Sequence, residues 1–297
     1  MTAFHVIERV ARHAALGVRF WDAAESTSAI DGLDVVVISR ANRNARTTAR
    51  VNGSGVYVAH GVPGLRSFEF SDADPAALWA TATRPYRVEV RDPFGRFLPI
   101  GFDADLPTRG LFTWNGPWLS PPQPIVLPGE PGSPPQLLLE RVPLFSAPSR
   151  PVPDPLAAVR AQLREFGTQR DAAWSLLAVS IDGATRGLGL ADEHGRVAVL
   201  FPYPEPPRLS LSSPPEARND FTWEVALTAF WSPASPPTAA PPIADLADVF
   251  AALATPRDVI ESISSPALPL RLTYRQALTV RTAGAVGTDA SFLFLST

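Results

Sequence analysis

Polar and apolar residues alternate with a period of two along much of this chain. Tyr86 to Asp92, YRVEVRD, places Tyr86, Val88 and Val90 on one face and Arg87, Glu89 and Arg91 on the other. That is the pattern of a strand with one buried face. GVYVAH, from Gly55, repeats it, and Val56 and Val58 are predicted to pack inward with Tyr57 and Ala59 on the opposite side. Further strands are predicted at Gly17–Ala24, Gly32–Arg40, Ser67–Phe70, Gln136–Phe145, Trp174–Asp182, Thr185–Asp192, Gly195–Pro204, Phe221–Trp231, Leu270–Thr282 and Ser291–Thr297. Arg96–Pro107 reads as an edge strand, because Pro99 removes a ladder donor. ANRNARTTAR, Ala41 to Arg50, reads as a polar connection.

Two segments break the alternation. Asp154 can cap a helix, Pro155 suits its first position, Leu156, Val159, Leu163 and Phe166 recur at helical spacing, and Gly167 can end it. Ala244–Ala254 is a second helical stretch. Proline and glycine crowd Asn115–Pro135, which reads as a long loop or covering arm. Ser146–Pro155 has the composition of a semi-rigid spacer. The expected organisation is therefore a β-sandwich domain over residues 1–147 with its proline-rich arm at 115–135, a linker over 148–155, and a second β-rich domain over 156–297 that opens with a helix. The fold class is mainly β: two antiparallel sandwiches, transthyretin-like or Ig-like, with one or two short helices in the second half. GVYVAHGVP at Gly55 and GRVAVLFP at Gly195 form a weak internal repeat, each a glycine turn leading into an alternating strand that ends in proline.

Composition supports this. The 297 residues include 33 prolines, which block helix interiors and central strands and so favour short strands between rigid loops. The net charge is −3 and the 26 basic residues are all arginine, an overall balance that does not point to nucleic acid. There is no cysteine, so disulfides, thiolate metal sites and cysteine nucleophiles are excluded. Glu8, Arg9, Arg12 and His13 interrupt any signal-like apolar core, and no run is long enough to span a membrane. The expected location is the cytoplasm, or a particle assembled there.

The glycines of NGSGVYVAHGVPG, Asn52 to Gly64, lead into a strand rather than a helix, so they do not form a phosphate loop. GSG also lacks the spacing of a nucleophile elbow. The segment reads as a hairpin turn followed by a Pro63-Gly64 corner. GLDVVV, this glycine turn, GVYVAHGVPG and SFEF together resemble the carboxypeptidase-regulatory or transthyretin-like sandwich, which implies about seven antiparallel strands with Greek-key connections. RVEVRDPFGRFLPIGFDADLP, RGLGLADEHGRVAVLFPYPEP and the proline-rich loops resemble an uncharacterised family encoded with phage-tail-like contractile injection systems. That resemblance implies a structural or adaptor part of a particle, with other protein subunits as partners.

The candidate chemistry is sparse. His5, His13, His60 and His194 lack ligand-type spacing, and no metal or cofactor is expected. Asp103 and Asp105, or Asp192 and Glu193, could serve as paired carboxylates for hydrolysis or calcium, although acids beside loop prolines and glycines more often turn the backbone. Phe112, Trp114 and Trp118, within RGLFTWNGPWLSPP, are the candidate interaction anchors, because aromatic rings on proline-stiffened loops lose little entropy on docking. Trp223, inside an alternating strand, is assigned to the core. The leading expectation is a non-enzymatic assembly component. A carbohydrate-binding module and a hydrolase are the rivals.

Overall fold

A computed structural model describes residues 12–25, 30–71, 82–108, 110–112, 141–205, 221–232, 242–262, 265–266, 270–280 and 292–295. The expectations for Asn115–Pro135, Trp114 and Trp118 lie outside these residues. The first half contributes β1 (Leu16–Val18), β2 (Phe20–Asp22), β3 (Asp34–Ser39), β4 (Arg46–Val51), β5 (Tyr57–Ala59), α1 (Arg66–Glu69), β6 (Arg84–Arg91), β7 (Ile100–Leu106) and β8 (Val142–Leu144). The second contributes β9 (Leu156–Glu165), β10 (Leu176–Ile181), β11 (Ala184–Leu190), β12 (Arg196–Pro202) and β13 (Thr222–Phe230). There follow β14 (Ala244–Asp245), α2 (Leu246–Ala251), β15 (Pro256–Ser262), β16 (Ser265–Pro266), β17 (Leu270–Thr273), β18 (Leu278–Thr279) and β19 (Phe292–Leu295). The protein is mainly β and sandwich-like. Among the described residues, no helix is long and apolar enough to cross a membrane.

The first sheet runs β1-β5-β4-β3-β6-β7-β14, and β2 pairs separately with β8. In β6 the alternation holds as read: Tyr86, Val88 and Val90 are buried against the core. At β5 the expectation holds in part: Val56, just before the strand, is buried, but Tyr57 and Ala59 rather than Val58 form the buried face. Tyr57 and Ala59 are fully buried and Val58 is half-buried, because Tyr57 reaches across the core to accept a hydrogen bond from the Leu33 amide at 3.1 Å. With apolar residues on both faces, composition gave no sign of which side turns in.

ANRNARTTAR is not merely a connection. Its second half is β4, paired with β3 and β5, and the β-branched Thr47 and Thr48 suit that place. SFEF is not a strand but the helical turn α1. There the buried Glu69 carboxylate accepts hydrogen bonds from the Gly61 and Val62 amides, each at 2.7 Å, and so ties down the His60–Gly64 corner.

The largest correction is at Asp154–Gly167. The predicted helix is the ten-residue strand β9, antiparallel to β12 and parallel to β18 and β19. Ala157, Val159, Ala161 and Leu163 face the second core, whereas Leu156 and Ala158 pack with Ala24, Ala198 and Leu200. Leu156–Val159 is buried on both faces, and from Val159 to Arg164 apolar and polar residues alternate with the period of a strand; the helical spacing of Leu156, Val159, Leu163 and Phe166 is superimposed on that alternation. The second sheet follows the order β11-β10-β13-β15-β19-β9-β12. Its end strands meet face to face at Gly187 and Gly189, where an added Cβ would lie 2.9 Å from Val199 and from the Ala198 carbonyl. These two glycines allow the sheet to curl.

Residues 242–254, which lie in the chain between β13 and β15 of the second sheet, form an arm. Its feet are adjacent, with Phe230 paired to Pro256. Its tip is β14, which pairs with β7, and α2, whose Leu246, Val249 and Phe250 are buried in the first core. Asp245 caps α2 through the Ala247 amide at 2.9 Å and pairs with Arg87, whose guanidinium lies over Gly101.

Candidate functional site: matched turns around a cleft

Three tight turns share one design. In each, an Asx side chain accepts backbone N–H bonds from the next residues, and a glycine three positions on takes the left-handed conformation. Asn52 Oδ1 accepts from the amides of Ser54 (2.9 Å) and Val56 (3.0 Å), and Gly55 has φ 71°. Asp192 Oδ1 accepts from the amides of His194 and Arg196, both at 2.9 Å, and Gly195 has φ 71°. Asp92 accepts from the amides of Phe94 (3.3 Å), Arg96 (2.6 Å) and Phe97 (3.2 Å), and Gly95 has φ 67°. Left-handed backbone at the fourth residue explains the glycine, since a Cβ there is strained.

The two Asp-x-x-Gly-Arg turns add a second clasp. Arg96 closes on Asp92 at 3.1 Å, and Arg196 on Asp192 at 2.8 Å. Burial pushes the Asp92 carboxyl up, but the hydrogen bonds from Arg96 and Phe94 outweigh it and hold the group below the ordinary carboxylate range. The hydrogen bond to Asp92 holds Arg96 above its ordinary value.

The segment between the halves is pinned. Arg150 is buried and bonds Asp22 at 2.8 Å and Glu25 at 2.7 Å, and Arg160 donates to the Pro148 and Arg150 carbonyls, each at 2.8 Å. The Asp92 and Asp192 turns and residues 147–149 of that segment, with Trp174 and Pro242, wall a cleft of about 480 Å³. Its lining is largely apolar, with Leu98, Pro99, Pro148, Trp174 and Pro242, while Glu193 supplies an acidic rim. This volume falls within the ~300–1,000 Å³ common for binding pockets.

The sequence-derived candidates are placed as follows. Phe112 is packed inside, its ring stacked on Phe102 at a centroid distance of 4.9 Å, which gives it a core role. Asp103 and Asp105 share the exposed face of β7, and Asp103 is taken up by Arg40 and Arg87. Asp192 holds its own turn, and His194 lies 3.4 Å from Glu193. His60 has its Nδ1 buried beside the corner that Glu69 ties. Among the described residues, no three His, Asp or Glu side chains converge in metal-binding geometry. Trp223 is buried in the second core, as expected.

Sequence reasoning missed Glu69, Arg150, Trp174 and Phe94. Only Phe94 carried a readable signal: it sits in DPFGR, which matches DEHGR at Asp192 residue for residue at Asp, Gly and Arg.

No protein-family model matches the chain, and no curated protein matches it. Among solved structures, the Bacillus anthracis TIE protein aligns with a TM-score of 0.24 and 9% identity, over 74% of this chain and 28% of that one. This chain thus spans about 28% of the length of that protein. The C-terminal fragment of the pilus adhesin SpaC from Lactobacillus rhamnosus GG aligns with a TM-score of 0.19 and 9% identity, over 95% of this chain and 96% of that one. Similarity at this level carries no argument. What the fold defines is a class, a mainly-β, sandwich-like protein.

Proposed function

We propose that this chain is a non-enzymatic structural or adaptor component of a multi-subunit assembly. The observation that carries this reading is the use to which the charged groups of the matched turns are put. Asp92, Arg96, Asp192 and Arg196 hold backbone amides and one another, so their charge stiffens the loops. Arg150 does the same for the segment between the halves. A scaffold that fixes its loops in this way presents a constant surface to other subunits at low entropic cost. The sequence resemblance makes a phage-tail-like contractile injection particle the assembly we propose. Expression together with the neighbouring genes tests this: the chain sediments with a large particle, whereas recovery only as a free chain contradicts the proposal.

One observation favours a second reading, a carbohydrate-binding module. Tyr203, Phe221, Trp223 and Tyr274 cluster with ring centroids 4.9–6.5 Å apart, and Tyr274 is exposed. Such ring faces can stack on sugars. Saturable quenching of tryptophan fluorescence by an oligosaccharide supports this reading, and unchanged emission across a glycan panel removes it.

A further inference from the structure

The three matched turns serve as an internal control for what the turn requires. Each needs its Asx side chain and its glycine. The residue between them, two positions after the Asx, is Ser54 in the first, Phe94 in the second and His194 in the third. The geometry is the same with all three, so the backbone does not call for phenylalanine. Yet Phe94 is 71% exposed, the most exposed large apolar residue of those described. It is also held in place. Its ring edge lies where a Cβ on Gly32 would come within 2.6 Å, and the Arg96 guanidinium covers it at 5.2 Å from the centroid. A rigid exposed aromatic flanked by a cation has the form of an interface anchor.

A cleft opens beside the same turn. The cleft begins at Gly95, the residue after Phe94, and has apolar walls at Leu98, Pro99, Pro148 and Trp174. Its lining also holds Asp192, Glu193 and Arg196; Arg196 is paired with Asp192 at 2.8 Å, which leaves Glu193, its side chain 42% exposed, as the acid of charge opposite to Arg96. A knob close to its own hole permits a two-fold contact in which each copy's knob enters the other's cleft, and such a contact closes at two.

We propose that Phe94 of one chain seats in the cleft of a second copy, with Arg96 facing Glu193 across the contact. The occupant is thus this same chain, and the proposal deepens the assembly reading, on which it rests.

Sedimentation equilibrium on the full chain tests it. The wild type forms a dimer. Phe94→Ser, which copies the residue of the Asn52 turn, weakens it by about 30-fold or more. Ser149→Trp, at an exposed position of the rim, blocks the cleft and does the same. Because the chain has no cysteine, Phe94→Cys chains mixed with Ser149→Cys chains under air oxidation give the mixed disulfide in clear excess over either symmetric one when knob and cleft meet in trans. A wild type that stays monomeric at every concentration, or a dimer indifferent to Phe94→Ser, overturns the proposal. So does a monomer that binds phosphatidylcholine–phosphatidylglycerol vesicles through Phe94. A monomer that still sediments with a particle separates this failure from that of the assembly reading.

Discussion

The Asp92 and Asp192 turns have the same backbone design in different surroundings. Both clasp an arginine four residues on, and both rest on a left-handed glycine. At the first, the glycine faces open space: nothing lies within 4 Å of a Cβ built on Gly95. At the second, the glycine is pressed onto β9, and a Cβ on Gly195 would come within 2.2 Å of the Leu163 carbonyl oxygen. The comparison teaches that one local motif can serve two purposes. The Asp192 turn is an internal joint, tying the β11–β12 connection to the strand beneath. The Asp92 turn is a tip, braced against Asp31 and Gly32 by Arg96 and Phe94, that carries Phe94 outward.

The largest expected difference is at the glycines. Gly95→Ala costs about 1–2 kcal/mol from the left-handed backbone alone. Gly195→Ala adds backbone overlap and costs about 3–5 kcal/mol, or prevents folding. Urea unfolding of the two variants measures this, and equal losses would erase the distinction between joint and tip. Next come the acids. The Asp92 side chain is 0% exposed and that of Asp192 is 11% exposed. Asp92→Ala leaves three backbone amides, two of them part-buried, and the Arg96 guanidinium without their carboxylate and costs about 2–3 kcal/mol, against about 1–2 kcal/mol for Asp192→Ala, which frees two amides and Arg196.

A titration sharpens the contrast. The Asp92 carboxyl is held below its ordinary value in the folded chain, so its stabilising contribution is complete above the ordinary carboxylate range. It is lost as pH falls through the depressed folded value. The stability gap between wild type and Asp92→Asn therefore closes in acid, and a gap independent of pH would contradict the clasp. The smallest effects are at the tips, where Phe94→Ser and His194→Ser each change unfolding stability by no more than about 0.5 kcal/mol.

Much of this architecture was legible and some was not. Alternation in YRVEVRD identified β6 and its buried face directly, because only one face is apolar. It did not fix the facing of β5, where Val56, Tyr57, Val58 and Ala59 are all apolar. It misread β9: Arg160, Gln162 and Arg164 do alternate with Val159, Ala161 and Leu163, but Leu156, Val159, Leu163 and Phe166 also fall at helical spacing behind an Asp-Pro start, which favours the helix. The Gly55–Gly195 repeat was visible, but its more informative partner at Gly95 was not singled out. The docking of residues 242–254 onto β7 depends on a two-residue strand and on contacts with residues about 145 positions earlier in the chain, and local pattern does not encode such a partner.

Amide hydrogen exchange at Arg96 and Arg196 tests the central claim most directly. If the Asp clasps make these turns part of a stiff scaffold, both amides exchange only through large-scale unfolding, with protection matching β6 and β12. Exchange at both sites as fast as in an open surface loop would contradict the account.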